Sequence, residues 1–279
     1  MPSPKIQILR AQDLGFCFGV QRAYNLACQN PQAQILGELV HNQAVLAELK
    51  KRGLQKTNLQ TAENGSVLIR AHGLAQKKIQ LLAKKGLQII DATCPFVHKI
   101  RQAVQKLQTE NYTVILLGQK NHPEVQALVT DFPTIIVVKN STDPELRKLP
   151  PAKIGLVAQT TETLTNFTQT AQALQKFHSQ VQILNTICLA TQARQLATRR
   201  LAEQVDLVLV IGDAKSNNTR KLLALVHPWK PAKLVESASA LQKSWLQGIQ
   251  KIGLTAGTST PETLITAVEK ALQQLIARN

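Results

Sequence analysis

Acidic side chains, aromatics and cysteines are all scarce in this sequence, and each shortage narrows what the chain can do. Only 17 Asp and Glu stand against 33 Lys and Arg, a formal net charge of +16. Such a balance suits nucleic acid, an anionic surface, or a negatively charged partner or substrate. The cations, however, fall in short clusters such as Lys50-Lys51-Arg52, Lys77-Lys78, Lys84-Lys85 and Arg199-Arg200, scattered over helix-like segments. Aromatics make up only 4% and do not interleave with these clusters, and no nucleic-acid fold motif is present, so nucleic-acid binding is not expected. Most of the charge reads as solvated helix face.

No apolar run approaches the ~20 residues of a membrane span, and Met1-Pro2-Ser3-Pro4-Lys5 leads into no apolar signal region. The expectation is a cytoplasmic protein with no membrane partner. Four cysteines spread over 279 residues do not form the short, dense framework of a secreted disulfide protein. Hydrophobic residues at 44% and charged residues at 18% fit an ordinary globular chain, long enough for two or three compact units.

Three of the cysteines share a setting. Asp91-Ala92-Thr93-Cys94-Pro95 follows the apolar run from Leu87 to Ile90 and precedes a helix-like run. Ile183-Leu184-Asn185-Thr186-Ile187-Cys188 repeats the arrangement, and Ile6 to Leu9 followed by Cys17-Phe18-Gly19-Val20 does so more loosely. A thiolate at a helix N-terminus is favoured by the backbone dipole. Three equivalent thiolates point to one shared metal site, with zinc or an iron–sulfur cluster suited to sulfur ligands. Three protein ligands leave one position open, as a reacting substrate requires. The plain alternative is three buried cysteines acting as small hydrophobes. Cys28, with no strand before it, reads as a packing residue.

The rest of the chain repeats with the cysteines. A Gly-x-x-x-polar turn occurs at Gly37 to His41, Gly118 to His122 and Gly212 to Ser216, and a further polar turn carries His72, Thr160 and Ser259. Lys251 to Leu264 is a near copy of Lys153 to Leu164. Strands alternating with helices predict α/β architecture with mainly parallel sheets, in three similar lobes. Their expected limits are 12–94, 95–187 and 188–279, the last joined by a strand within 1–11. Ligands of such sheets bind at the carboxyl ends of the strands, where all nine turns fall. Asn140 to Pro151 reads as loop, Val226 to Ser237 as irregular, and Gln159-Thr160-Thr161-Glu162-Thr163-Leu164 as a helix start in which a threonine followed by Glu gives a capping signal.

His41, His72, Ser216, Asn218 and Ser259 would place donors at helix starts, where backbone N–H groups already attract anions. Asn42 and Asn217 could add amide donors. A capping role explains any one of these residues alone; their recurrence beside a cysteine in every repeat favours a phosphate site. Glu124, beside His122, would put a proton donor in a site otherwise built for anions, although an acid in the first turn after Pro123 also suits the helix dipole.

These motifs together resemble those of the 4-hydroxy-3-methylbut-2-enyl diphosphate reductase family. They comprise Gly15-Phe16-Cys17-Phe18-Gly19-Val20, Leu39-Val40-His41-Asn42, Ala71-His72-Gly73, Asp91-Ala92-Thr93-Cys94-Pro95, His122-Pro123-Glu124-Val125, Gln159-Thr160-Thr161, Asn185-Thr186-Ile187-Cys188 and Thr255-Ala256-Gly257. The resemblance implies three α/β lobes set pseudo-threefold around a [4Fe-4S] cluster and the terminal step of the methylerythritol phosphate route to isoprenoids. Its products would be isopentenyl and dimethylallyl diphosphate. It implies Cys17, Cys94 and Cys188 as cluster ligands, with one iron open to the substrate hydroxyl. His41, His72, Ser216, Asn218 and Ser259 would hold the diphosphate, Asn217 would lie beside it, His122 and Thr160 near the allylic end, and Glu124 would donate the proton. With no dinucleotide fingerprint in the sequence, ferredoxin or flavodoxin is the expected electron donor, and a monomer or weak homodimer the expected state. Departures are Gly212-Asp213-Ala214-Lys215-Ser216-Asn217-Asn218, where the family has Gly-x-Lys-Asn-Ser-Ser/Gly-Asn, together with His98, Asn121 and the Val125-Gln126-Ala127 segment. They raise the alternative of a diverged, non-redox allylic-diphosphate-binding protein.

Overall fold

The computed structural model describes residues 6–150 and 152–278; residues 1–5, read above for a signal segment, and Pro151, the last residue of the expected loop, lie outside them. β1 (Gln7–Arg10) is followed by α1 (Phe18–Gln29), β2 (Gln34–Leu36), α2 (Gln43–Lys51), β3 (Gln55–Thr57), β4 (Ser66–Ile69), α3 (Gln76–Lys84) and β5 (Gln88–Asp91). Next come α4 (Pro95–Thr109), β6 (Thr113–Leu117), α5 (Pro123–Asp131), β7 (Ile136–Val138), β8 (Ile154–Ala158), α6 (Leu164–Phe177) and β9 (Val181–Ile183). The chain closes with α7 (Leu189–Gln204), β10 (Leu207–Ile211), α8 (Asn217–Val226), β11 (Ala232–Val235), β12 (Lys251–Ala256) and α9 (Glu262–Ala277).

The strands form three four-stranded sheets in the orders β3-β2-β4-β5, β7-β6-β8-β9 and β11-β10-β12-β1. Every described pairing is parallel. Parallel neighbours need helical crossovers, which cover both sheet faces and allow continuous apolar strands. β8 and β10 are buried at every residue. Along β6 the side chains alternate: Ile115 and Leu117 join one core with Leu156 and Phe167, while Val114 and Leu116 join another with Ile100, Leu107 and Leu128.

The three sheets have one plan: an edge strand, a strand ending in a glycine turn, a central strand, and a strand leading to a cysteine. The third sheet takes its last strand, β1, from the start of the chain, with Leu9 opposite Gly253 and Arg10 opposite Leu254. Two strands escaped the sequence reading. The segment Val226 to Ser237 is not irregular throughout, since it contains β11, and β3 had no expectation at all. Both are edge strands of three or four residues, half exposed and carrying Lys56 or Lys233, so no apolar alternation marks them. Pro144–Lys148, within the expected loop, forms a 3-10 turn.

The chain divides into two compact units. One consists of the chain up to Gln21, Val40–Glu48 and the chain from Leu189; the other consists of Arg22–Leu39 and Leu49–Cys188. Among the described residues no helix is long and apolar enough to cross a membrane.

Candidate active site

Each of the three cysteines directly precedes a helix: Cys17 before α1, Cys94 before α4 and Cys188 before α7. Each also makes the same backbone bond. The Cys17 amide donates to the Thr258 carbonyl at 3.2 Å, that of Cys94 to Ala71 at 3.0 Å, and that of Cys188 to Thr160 at 3.0 Å. Ala71, Thr160 and Thr258 are each the second residue beyond the end of their central strand, β4, β8 and β12. The repeat is thus one of hydrogen bonds as well as of sequence. It also shifts one correspondence: Thr161, one residue beyond Thr160, is the counterpart of His72 and Ser259.

The glycine turns repeat equally closely. Gly37, Gly118 and Gly212 directly follow β2, β6 and β10, and their amides donate to Thr57, Val138 and Val235 on the edge strands. Four residues later the three copies diverge. His122 caps α5, its Nδ1 accepting the Glu124 amide at 3.2 Å, and Ser216 caps α8 by accepting from Thr219. In the first copy the cap moves on by one residue, to Asn42, whose Oδ1 accepts the Val45 amide, so His41 is not used as the cap. The carboxamide oxygen of Asn42 is therefore engaged in the helix start.

In the unit that ends on α9, the anion-binding candidates come together. The Ser259 hydroxyl donates to the His41 carbonyl at 3.1 Å and lies 3.4 Å from the Ser216 hydroxyl. Ser216, Asn217, Asn218 and Ser259 are all buried. The Asn218 side-chain nitrogen and the Thr219 hydroxyl have no hydrogen-bond partner among the described residues. A buried amide donor without an acceptor carries a desolvation cost that a bound anion would remove. Two glycines permit this packing. A Cβ on Gly257 would sit 2.1 Å from the Thr219 hydroxyl, and one on Gly212, where φ is +145°, would sit 2.7 Å from that of Thr260.

Asp213, at the variable position of the Gly212 turn, has a structural part of its own. Its carboxylate accepts the Lys215 amide at 2.7 Å and the Gln43 amide at 3.3 Å, joining the Ser216 turn to the start of α2 beside His41.

The other unit gathers titratable groups. Glu124 is 1% exposed; its Oε1 accepts the Thr160 amide at 2.8 Å and its Oε2 accepts the Thr160 hydroxyl at 2.6 Å. Thr160 in turn offers its carbonyl to Cys188, so acid, hydroxyl and thiol-bearing residue form one hydrogen-bonded series. The rings of His72 and His122 meet edge to face, with centroids 5.2 Å apart. Because His122 Nδ1 is an acceptor, a neutral ring carries its hydrogen on Nε2. The helix cap is Thr163, which accepts from Asn166, so the expected capping signal was placed too early. That displacement leaves Thr160 to the carboxylate. Next to His72, burial pulls the Arg70 guanidinium below its usual range, and Glu38 partly opposes the shift.

Three arginines not singled out from the sequence brace these turns. Arg22 donates to the Asp91 and Thr93 carbonyls just before Cys94, Arg101 to the Leu74 carbonyl after His72, and Arg194 to the Ala256 carbonyl before Ser259. They lie five, seven and six residues after Cys17, Cys94 and Cys188. That near-constant spacing was the available signal. None of the four cysteines is in a disulfide, and Cys28 is half-buried on α1. Among the described residues no three His, Cys, Asp or Glu side chains form a ready-made metal-holding group.

The LytB protein family matches residues 8–273. A 4-hydroxy-3-methylbut-2-enyl diphosphate reductase of Geotalea uraniireducens is 35% identical over 97% of this chain and 98% of its own. One from Aquifex aeolicus is 36% identical over 97% of each. Among solved structures, the E-1-hydroxy-2-methyl-but-2-enyl-4-diphosphate reductase from Plasmodium falciparum superposes with a TM-score of 0.89 at 30% identity, over 97% of this chain and 88% of that one. A second, described as the terminal enzyme of the non-mevalonate pathway, gives 0.71 at 34% identity, over 96% and 99%.

Proposed function

Since the chain belongs to the LytB family, we propose that it is a reductase that removes the hydroxyl of 4-hydroxy-3-methylbut-2-enyl diphosphate to give isopentenyl and dimethylallyl diphosphate. The observation that carries this reading is the buried series Glu124–Thr160–Cys188, which sets a carboxyl and a hydroxyl within two hydrogen bonds of a candidate metal ligand.

The diphosphate is held by His41, Ser216, Asn218 and Ser259, with Asn217 beside them and His72 as a further donor. Four of these are neutral hydroxyl or amide side chains, and Ser216, Asn217 and Asn218 occupy the start of α8, where the unsatisfied N–H groups favour an anion. Ser259 and Asp213 tie that helix start to the His41 segment, so the donors are in position before substrate arrives.

Proton delivery falls to Glu124. With Oε1 fixed as acceptor of the Thr160 amide, the proton of a neutral carboxyl resides on Oε2 and is shared with the Thr160 hydroxyl. Thr160 can then pass its own hydrogen onward as it receives one from Glu124, without either group rotating. His122, capping the same helix, aligns Glu124 by accepting its amide and is the residue assigned to the neighbourhood of the substrate's allylic portion.

Cys17, Cys94 and Cys188 would hold a [4Fe-4S] cluster. The donor set suits it: three thiol side chains at helix starts, each fixed by the same amide bond and none in a disulfide. When bound, the cluster supplies one-electron reduction and an open Lewis-acidic iron. Electrons come from an acidic carrier of the ferredoxin or flavodoxin type, and each of the three sheets with its helices is one lobe of a monomeric or weakly dimeric cytoplasmic enzyme.

The test is anaerobic purification, with iron and sulfide assayed against protein and the pure enzyme given substrate and a chemical reductant. Near four irons and four sulfides per chain with reductive turnover is the expected result. Absence of both overturns the cluster assignment, whereas substrate binding without turnover favours the non-redox alternative.

A further inference from the structure

Helix α7, which begins one residue after Cys188, buries Ala197, Leu201 and Ala202 in the ordinary way but at several other positions turns polar side chains inward and leucines outward. Thr191, Arg194, Gln195 and Thr198 are buried, while Leu189 and Leu196 are 68% and 50% exposed. An ordinary surface helix does the reverse. Leu189, Ala193, Leu196 and Arg200 follow at helical spacings of four, three and four, so the outward leucines share one face. Beside this stripe Trp229, at the end of α8, is 70% exposed, with the Arg199 guanidinium 6.0 Å from its ring. A pocket of about 170 Å³ opens between them, lined by Arg199, Ala202, Leu225, Trp229 and Lys230. Glu203 is the one carboxylate on its wall.

Exposed leucines and a tryptophan gathered in this way mark a contact surface. An apolar centre rimmed by Arg and Lys is the usual anatomy of a binding hot spot. Three observations select the occupant. The stripe starts at the residue after Cys188, where electrons must reach the site. The rim cations Arg199, Arg200 and Lys230 outnumber Glu203. A formal charge of +16 repels a second copy of this chain and attracts an acidic protein. We infer that the outward face of α7, with the Trp229 pocket, is the docking surface for the acidic one-electron carrier protein that reduces the enzyme. This inference rests on the reductase reading above for its partner, but not for its surface.

The test uses full-length Leu196→Glu, Trp229→Ala and Arg200→Glu proteins with an acidic [2Fe-2S] ferredoxin. Titration calorimetry gives the ferredoxin Kd, and turnover is compared with ferredoxin and with dithionite-reduced methyl viologen. Leu196→Glu and Trp229→Ala should each weaken ferredoxin binding by about tenfold or more, leaving viologen-driven turnover within twofold of wild type. Arg200→Glu should weaken it most at low salt, because exposed charges are screened as ionic strength rises. An unchanged Kd in all three variants overturns the proposal, as does an equal loss with both reductants. So does sedimentation showing a wild-type dimer that Leu196→Glu dissociates, which would make a second copy the occupant. Absence of viologen-driven turnover in the wild type would instead sink the reductase reading, and the calorimetric comparison would still decide the surface.

Discussion

The two units carry the same glycine turn and the same cysteine bond, yet they are equipped for different work. In the unit ending on α9, the turns carry Ser216, Asn217, Asn218 and Ser259, whose donors do not titrate near neutrality, together with His41. In the other, the equivalent turns carry the proposed proton donor Glu124 with Thr160 and His122, and also His72, the further donor proposed for the diphosphate. Binding an anion needs fixed donors and no net charge of its own, because the helix start already supplies the field. Moving a proton needs a titratable group held away from water. One backbone plan would thus serve both proposed roles, with the side chains set at its turns making the difference.

That contrast breaks most sharply at Glu124. Glu124→Gln keeps the size of the side chain and one acceptor for Thr160 but removes the proton. Turnover should fall by roughly 10²–10⁴, the usual loss for a positioned general acid, while iron content and substrate affinity stay near wild type. Near-normal turnover would show that the titratable unit is not the proton source.

Ser259→Ala tests the opposite half. It removes a hydroxyl that bonds the His41 carbonyl and the Ser216 hydroxyl. Substrate affinity should drop by roughly tenfold or more, in line with a hydrogen bond to a charged group, with kcat at saturation largely kept. A loss confined to kcat would contradict the division.

A smaller effect is expected from Gly257→Ala, which forces a methyl group against the Thr219 hydroxyl. Overpacking of this kind costs about 1–3 kcal/mol, readable as a lowered Tm, and Gly257→Ala with Thr219→Ala should recover much of it. Absence of recovery would mean that the strain lies in the backbone and not at Thr219.

The least effect concerns Asp206, at the far end of the same sheet from the cradle. It accepts the Gln250 and Lys251 amides at 2.9 and 2.8 Å, and these bonds lower its pKa, Lys251 foremost. A carboxylate with a depressed folded pKa contributes stability that is present above its unfolded value of about 3.9 and lost as pH falls through the folded value. Asp206→Asn should therefore flatten the acid limb of a denaturation profile slightly, without altering turnover at neutral pH. A change in turnover would tie that end of the sheet to the site.

Much of this was written in the sequence because strand ends and helix starts leave strong local marks. Cys94, Gly118 and Ser216 each sit between an apolar run and an amphipathic one, so their positions followed from pattern alone. β3 and β11 did not, since a half-exposed edge strand of three or four residues has no periodicity to detect. The neighbours of Thr160 invited a cap there; only the carboxylate of Glu124, 36 residues away, draws it out of that role. The bracing contacts of Asp213 to Gln43 and of the three arginines were hidden for the same reason, as those partners are backbone atoms distant in the chain, although the arginines' spacing after the cysteines was legible.

The third sheet has a temporal consequence. β1, which leads to Cys17, is made before every other described strand, and its only described partner strand, β12, after all of them. The Thr258 carbonyl that fixes the Cys17 amide does not exist until then. Through most of synthesis the first cysteine therefore waits beside an unfinished sheet while the second and third can already be set by Ala71 and Thr160. A chain cut short before β12 would lack one of three anchors, so the proposed metal site could be assembled only once β12 has been made.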